Sequence, residues 1–169
     1  AAVLDLAADT IADICRSTGA EIANLNCPGQ VVITGRAEGV KKAQDACQLA
    51  GAKRVIPLEV SGGFHSSLMR EASIKLQEAL DGITIRDAQV PVIGNFTAQP
   101  EQQGVRIKEN LVKQIYSSVR WEESMRYALA QGVTRFIEFG PGKVLKGLMR
   151  RIDPAVSVEN IEKTKDIGG

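Results

Sequence analysis

The sequence is poor in histidine, cysteine and aromatic residues. Its 169 residues contain one histidine and three cysteines, and no two cysteines form a CxxC motif. These are too few ligands for a zinc or iron–sulfur site, so we expect no metal and no other cofactor. Three unclustered cysteines favour reduced thiols in a cytosol-like compartment. Aromatic residues make up only 4% of the chain, so the core must be built from aliphatic side chains.

The sequence also lacks a charge imbalance, a long apolar run and the common nucleotide-binding motifs. Its 21 basic and 20 acidic residues give a net charge of +1, which does not indicate a nucleic-acid or anionic membrane partner. No apolar run approaches the roughly 20 residues that span a bilayer. The opening "AAVLDLAADT" is acidic where a secretory signal would be basic. We therefore expect a cytoplasmic protein, or one of an organellar stroma or matrix.

The first 60 residues carry strand and helix signals in the order βαββαβ. Apolar residues at helical spacing indicate two helices, Gly19 is a stop signal, and Pro28 with Gly29 marks a turn between strands. This order is typical of a ferredoxin-like unit, in which two helices cover one face of a four-stranded antiparallel sheet. The predicted elements are strands at 2–6, 21–26, 31–35 and 53–60 and helices at 7–19 and 37–51.

From residue 61 the pattern changes to that of a parallel α/β sheet. Continuous apolar runs such as "VPVIGN" are typical of strands buried on both faces. We predict a mixed α/β protein with a small α+β subdomain at 1–60 and part of a larger α/β subdomain at 61–169. The predicted elements are helices at 66–80, 107–118, 121–132 and 142–152 and strands at 90–95, 134–140 and 155–161.

The only histidine, His65, lies in "SGGFHSSLM", where a strand gives way to a helix that Ser66 or Ser67 can cap. Loops at the carboxyl ends of strands line the ligand crevice in α/β proteins. The two glycines before Phe64 also suit a closely approached backbone. His65 is therefore a candidate general base. The alternative is a histidine near a helix N-terminus with no functional role.

Each of the other polar candidates can also be explained without a functional role. Turn chemistry accounts for Asn24 and Asn26, Gln114 can be an exposed helix residue, and Lys53 with Arg54 can be solvated surface charge. The "FGPGK" stretch after a strand is most simply a tight turn into a helix. The N-terminus of that helix could nevertheless bind an anion.

Several stretches of the chain together resemble the malonyl-CoA:acyl carrier protein transacylases of fatty-acid synthesis. They occur in that family's order and spacing and cover nearly the whole chain. The resemblance implies a ferredoxin-like βαββαβ subdomain followed by the C-terminal part of an α/β-hydrolase-like acyltransferase large subdomain. The stretches are "NLNCPGQVVITG", "AGAKRVIPLEVSGGFHSSLM", "VPVIGN", "LVKQIYSSVRWEESM" and "EFGPGKVLKGLMRRI".

The resemblance implies a ping-pong transfer of a malonyl group from malonyl-CoA to the phosphopantetheine thiol of acyl carrier protein, by way of a malonyl-serine. His65 matches the family's catalytic base, and Gln114 matches the residue whose backbone carbonyl orients the imidazole. Phe64 matches a position at which a bulky aromatic goes with malonyl over methylmalonyl substrates.

The remaining implied roles concern binding. Asn24 and Asn26 are expected to contact the substrate. Lys53 and Arg54 are expected to lie near the phosphates of the carrier and of coenzyme A, and Lys41 with Lys42 extends the same basic cluster.

The sequence departs from the family sharply: it contains no GxSxG motif, and so no match to the family's nucleophilic serine, and the family's oxyanion-hole glutamine and carboxylate-binding arginine are missing as well. We therefore expect an incomplete enzyme that carries the base and not the nucleophile, is inactive alone, and has the N-terminal portion of the same enzyme as a partner. The alternative is a non-catalytic carrier-binding or scaffold module derived from the same fold.

Overall fold

The structure, a computed structural model, describes residues 1–167 and is a mixed α/β protein. The chain divides into two compact units, of which the first is Ala1–Ser124 and the second begins at Met125. The division does not fall at residue 60, and the predicted subdomain boundary there stays a prediction. Among the described residues, no helix is both long enough and apolar enough to cross a membrane.

The first unit opens with the predicted βαββαβ order. Its four strands form one antiparallel sheet in the order β2-β3-β1-β4, the order of a ferredoxin-like fold, so this prediction is confirmed. Strand β2 is therefore an edge strand. The elements are β1 (Ala2–Leu4), α1 (Ala8–Thr18), β2 (Ala20–Cys27), β3 (Gln30–Gly35), α2 (Ala37–Leu49) and β4 (Arg54–Ile56).

Local sequence signals set the boundaries of these elements. Gly19 ends α1 in the left-handed region at φ 75°, and its N–H donates to the Cys15 carbonyl. Gly29, at φ 71°, lets Pro28 and Gly29 connect β2 to β3 by a two-residue turn. The core is aliphatic apart from two thiols, as the scarcity of aromatics predicts. Its buried members are Val3, Ile11, Cys15, Ala20, Val31, Ile33, Ala43 and Cys47.

The regular elements in the rest of the first unit are helices and one short hairpin. A 3-10 turn at Ser67–Met69 leads into α3, and Ser66 caps it by accepting the Leu68 N–H at 3.3 Å. Leu68, in this turn, is exposed. The remaining elements are α3 (Arg70–Asp81), β5 (Val92–Ile93), β6 (Pro100–Glu101), α4 (Gly104–Lys113) and α5 (Trp121–Ala130), whose last residues belong to the second unit.

The prediction of a parallel strand at 90–95 is wrong. Only β5 is extended, and it pairs antiparallel with β6 through Val92 opposite Glu101 and Ile93 opposite Pro100. An apolar run does not specify its partner. Here the nearest partner lies a few residues further along the chain, and a short connection of this kind joins antiparallel strands.

The second unit contains a parallel βαβ arrangement, as predicted. Strand β7 (Arg135–Phe139) pairs parallel with β8 (Ser157–Ile161), and α6 (Val144–Ile152) connects them. Strand β7 is not buried on both faces, although the apolar run at 134–140 is typical of such a strand: Phe139 is 71% exposed and Ile137 is 42% exposed. Side chains alternate along a strand, and it is Glu138, from the opposite face, that is buried and accepts N–H bonds from α6.

The start of α4 allows a direct test of the packing in the first unit. A Cβ added to Gly104 would lie 1.9 Å from the Ile85 carbonyl oxygen, a contact that the backbone must move to relieve. We expect Gly104→Ala to lower the free energy of unfolding by about 1–3 kcal/mol. The control is Gly82→Ala at the end of α3, where a Cβ would meet nothing within 4 Å. Urea unfolding should separate the two variants, and equal midpoints would contradict this packing.

Candidate active site

His65 lies in the loop between β4 and the Ser67–Met69 turn, and its backbone is strained. Its φ is 58°, in the left-handed region. For a residue other than glycine this conformation costs about 1–2 kcal/mol of free energy relative to the right-handed one. Hydrogen bonds hold the loop in this shape. The buried Ser66 hydroxyl donates to the Gly63 carbonyl at 2.5 Å, and a Cβ on Gly63 would lie 2.8 Å from the Leu68 side chain. The conformation at His65 is therefore imposed by its neighbours.

The imidazole of His65 meets the end of α4. Its Nδ1 lies 3.0 Å from the carbonyl oxygen of Gln114. Gln114 is the C-cap residue of α4, and carbonyls in the last turn of a helix have no intrahelical partner. Because a carbonyl can only accept, this contact requires the proton to be on Nδ1. The neutral ring then carries its lone pair on Nε2, the nitrogen that can take up a proton.

The segment after Gln114 is held by the edge strand β2. The Val119 N–H donates to the Ala23 carbonyl at 2.8 Å, and the Leu25 N–H donates to the Val119 carbonyl at 2.8 Å. The Ser118 hydroxyl donates to the Ile22 carbonyl at 2.5 Å. These three bonds fix residues 118 and 119 against β2, and so set where the preceding turn and Gln114 can lie.

Two further contacts connect the His65 segment to its surroundings. The Glu21 carboxylate, from β2, accepts the Ser67 hydroxyl at 2.6 Å and the Ser67 N–H at 3.1 Å. The Arg70 guanidinium lies over the ring of Tyr116, 4.6 Å from its centroid. Sequence reasoning missed these residues, because contacts between distant segments leave no periodic pattern.

His65 lines a cleft of about 510 Å³ in the first unit. Arg16 and Arg120 also line it, and each guanidinium is paired, with Asp13 and with Glu123 respectively. The hydrogen bond that the Arg120 guanidinium donates to the Glu123 carboxylate raises the pKa of Arg120 above its usual value. The remaining wall comes mostly from α1, from β2 and from the turn after α4; its residues include Ile22, Phe96, Tyr116, Ser117 and Ser118.

Cys15 also lines this cleft but is unsuited to act as a nucleophile. Burial, followed by the charges of Cys47 and Glu21, raises the pKa of the Cys15 thiol to about 11. The reactive form of cysteine is the thiolate, and this shift keeps the thiol protonated at neutral pH. All three cysteines are buried and outside any disulfide. The described residues also hold no group of three or more His, Cys, Asp and Glu that could bind a metal ion.

The structure brings together some of the predicted site residues and leaves others apart. His65 and Gln114 meet, whereas Phe64, Asn24 and Asn26 are not among the residues lining the His65 cleft. Phe64 is 46% exposed, and Asn24 lies on β2 beside Val119. Their proposed substrate contacts stay predictions.

The basic cluster is on the surface of the first unit and outside the cleft lining. Lys53 has its ammonium 3.7 Å from the Asp5 carboxylate, and Arg54 begins β4 and is exposed. Lys41 and Lys42 on α2 each pair with a carboxylate one helical turn away. Their charge is thus partly offset, which weakens them as an extension of the cluster.

The turn at "FGPGK" does not offer the open helix N-terminus that anion binding needs. The Glu138 carboxylate accepts the N–H groups of Leu145 and Lys146, each at 2.9 Å, and Glu162 accepts the Gly142 N–H. Donors in the first turn of α6 are thus satisfied by the chain's own carboxylates. This favours the structural role for the turn, because two negative charges there would oppose an anion.

Comparison with known proteins gives a consistent result. No protein-family model matches the chain. It is 55% identical over 133 residues to malonyl CoA-acyl carrier protein transacylase of Bacillus subtilis (strain 168), covering 79% of this chain and 42% of that protein. It is 42% identical over 174 residues to the protein of the same name of Staphylococcus aureus (strain MSSA476), covering 100% of this chain and 56% of that protein.

A solved structure of a malonyl-transacylase in complex with a type II PKS acyl-carrier protein matches with a TM-score of 0.93 and 39% identity, covering 98% of this chain and 55% of that one. The fold and these likenesses define an α/β protein of the acyltransferase class. Within that class, the chain belongs to the malonyl CoA-acyl carrier protein transacylase family. It spans about half the length of the curated relatives that it matches.

Proposed function

We propose that this chain is the base-carrying part of an enzyme that transfers a malonyl group from coenzyme A to the thiol of acyl carrier protein. The observation that carries the proposal is the 3.0 Å contact between Nδ1 of His65 and the Gln114 carbonyl, at the edge of a cleft of about 510 Å³. Family membership supplies the substrate class. The nucleophilic serine is proposed to lie in a part of the enzyme outside these 169 residues, which contain no GxSxG motif.

In the first half-reaction, Nε2 of His65 takes the proton of the serine hydroxyl as the serine oxygen attacks the malonyl thioester carbonyl. The carbon–sulfur bond breaks, and the imidazolium returns the proton to the departing thiolate of coenzyme A. In the second half-reaction, Nε2 takes the proton of the carrier thiol, which attacks the malonyl-serine. The carbon–oxygen bond breaks and the serine recovers its proton from His65.

The Gln114 carbonyl has two effects on this chemistry. It fixes the ring orientation and the Nδ1–H tautomer, which leaves Nε2 free for proton transfer in both half-reactions. It also adds no net charge, whereas a carboxylate in its place would repel the carboxylate of the malonyl group. We also propose the division into a ferredoxin-like small subdomain at 1–60 and a portion of the large subdomain at 61–169; the four-stranded sheet of β1 to β4 supports the first of these.

The role of His65 is tested in the longer protein that carries the serine. We expect His65→Ala to lower the rate of malonyl transfer by about 10²–10⁴-fold, the usual effect of losing a general base. Gln114→Ala should cost much less, because the backbone carbonyl that contacts Nδ1 remains. Transfer to acyl carrier protein is measured directly, with Lys75→Ala on the exposed side of α3 as a control. Turnover near that of the wild type in His65→Ala would remove His65 from the mechanism.

The basic pair Lys53 and Arg54 is proposed to guide the acidic carrier protein to the enzyme. Long-range attraction of this kind weakens as salt shortens the Debye length to about 8 Å. We expect Lys53→Glu with Arg54→Glu to raise the KM for carrier protein several-fold and to flatten its dependence on salt. Hydrolysis of the malonyl-serine by water should be unaffected, because it involves no carrier.

The matched control reverses two exposed charges elsewhere in the first unit, Lys75→Glu with Arg86→Glu. If both double variants show the same carrier KM and the same salt slope, the carrier docks at another surface.

A further inference from the structure

Glu21 connects the ferredoxin-like sheet to the segment that carries His65. Its carboxylate accepts the Ser67 hydroxyl at 2.6 Å, and both of its oxygens lie 3.1 Å from the Ser67 nitrogen. Ser67 follows His65 by two residues, whereas Glu21 is 46 residues away from Ser67 in sequence. Glu21 also lines the same cleft as His65. Hydrogen bonds to a carboxylate are stronger than those between neutral groups.

These bonds restrain the backbone around His65, whose conformation is unfavourable without such restraints. His65 has a left-handed φ of 58°, and the chain is held on both sides of it. Before His65, the Gly63 carbonyl accepts the Ser66 hydroxyl. After it, Glu21 holds the N–H and the hydroxyl of Ser67. Relaxation of His65 to an ordinary φ would swing the Ser67 N–H away from the carboxylate, so the Glu21 contact opposes that relaxation.

We infer that Glu21 is a positioning residue for His65: by holding Ser67, its carboxylate keeps His65 in the left-handed conformation in which Nδ1 reaches the Gln114 carbonyl. Glu21 itself takes no proton in the reaction. The consequence for catalysis rests on the function proposed above, but the geometric statement does not. It predicts that without the carboxylate the imidazole loses its fixed partner and with it the preference for the Nδ1–H form.

A purely structural role for Glu21 makes a different prediction. A carboxylate that only caps the Ser67–Met69 turn would add stability to the start of α3. Its removal would then lower the unfolding midpoint while the imidazole kept its contact with Gln114. The tautomer of His65 separates the two roles, because a general loss of stability does not alter it in the molecules that remain folded.

The test uses the fact that His65 is the only histidine in the chain. In the ¹⁵N-labelled chain, under basic conditions where imidazole is neutral, the Nδ1 and Nε2 signals report the tautomer of this one residue. We expect the wild type to be mainly the Nδ1–H form and Glu21→Ala to reduce the ratio of Nδ1–H to Nε2–H at least threefold. Glu21→Gln, which keeps one acceptor oxygen, should restore part of the ratio.

The matched control is Glu78→Gln on the exposed side of α3, which removes the same charge and should leave the ratio unchanged. A folded Glu21→Ala with the wild-type ratio would overturn the inference, as would an equal change in Glu78→Gln. If Glu21→Ala does not fold, Glu21→Gln decides: a ratio lower than that of the wild type supports the inference, and the wild-type ratio overturns it. Wild-type protein that shows the Nδ1–H form yet no malonyl transfer in its longer form would remove only the proposed function.

Discussion

The pairing of Val119 with the edge strand β2 is the interaction on which the candidate site depends. An edge strand presents unpaired N–H and carbonyl groups, and here the Ala23 carbonyl and the Leu25 N–H are satisfied by Val119, each at 2.8 Å. Glu21, on the same strand, holds Ser67. One strand therefore fixes both partners of the His65–Gln114 contact, which come from segments 49 residues apart in sequence. The ferredoxin-like sheet therefore positions both residues of the candidate site.

The elements of the first 60 residues could be predicted because their signals are local. Gly19 and the Pro28–Gly29 turn act within a few residues of themselves, and the βαββαβ order then limits the sheet to few arrangements. The predictions that failed concerned partners and burial. The 90–95 run was apolar enough for a parallel strand, yet β5 pairs with β6, and β7 exposes Phe139. Which neighbour covers a strand is decided by the whole fold and not by the strand.

The candidate site could be predicted only in part, for the same reason. The sole histidine in a glycine-rich junction was visible in the sequence, and the role of Gln114 came from the family resemblance rather than from its own surroundings. The Glu21 contact with Ser67 and the Ser118 bond to Ile22 span 46 and 96 residues. No spacing rule marks such pairs in a single sequence. Glu138 of β7, which is buried against the start of α6, was missed likewise. A charged residue within an apolar run is not expected to be buried from the sequence pattern alone.

Amide hydrogen exchange at Val119 and Leu25 tests most directly whether β2 holds the site. These two N–H groups bond between segments distant in sequence, and protection from exchange reports how often such bonds open. Our account predicts that both amides exchange as slowly as the amides that join β2 to β3 in the ladder. If the ladder is protected while Val119 and Leu25 exchange at the rate of exposed loop amides, β2 does not fix the Gln114 segment and the account is contradicted.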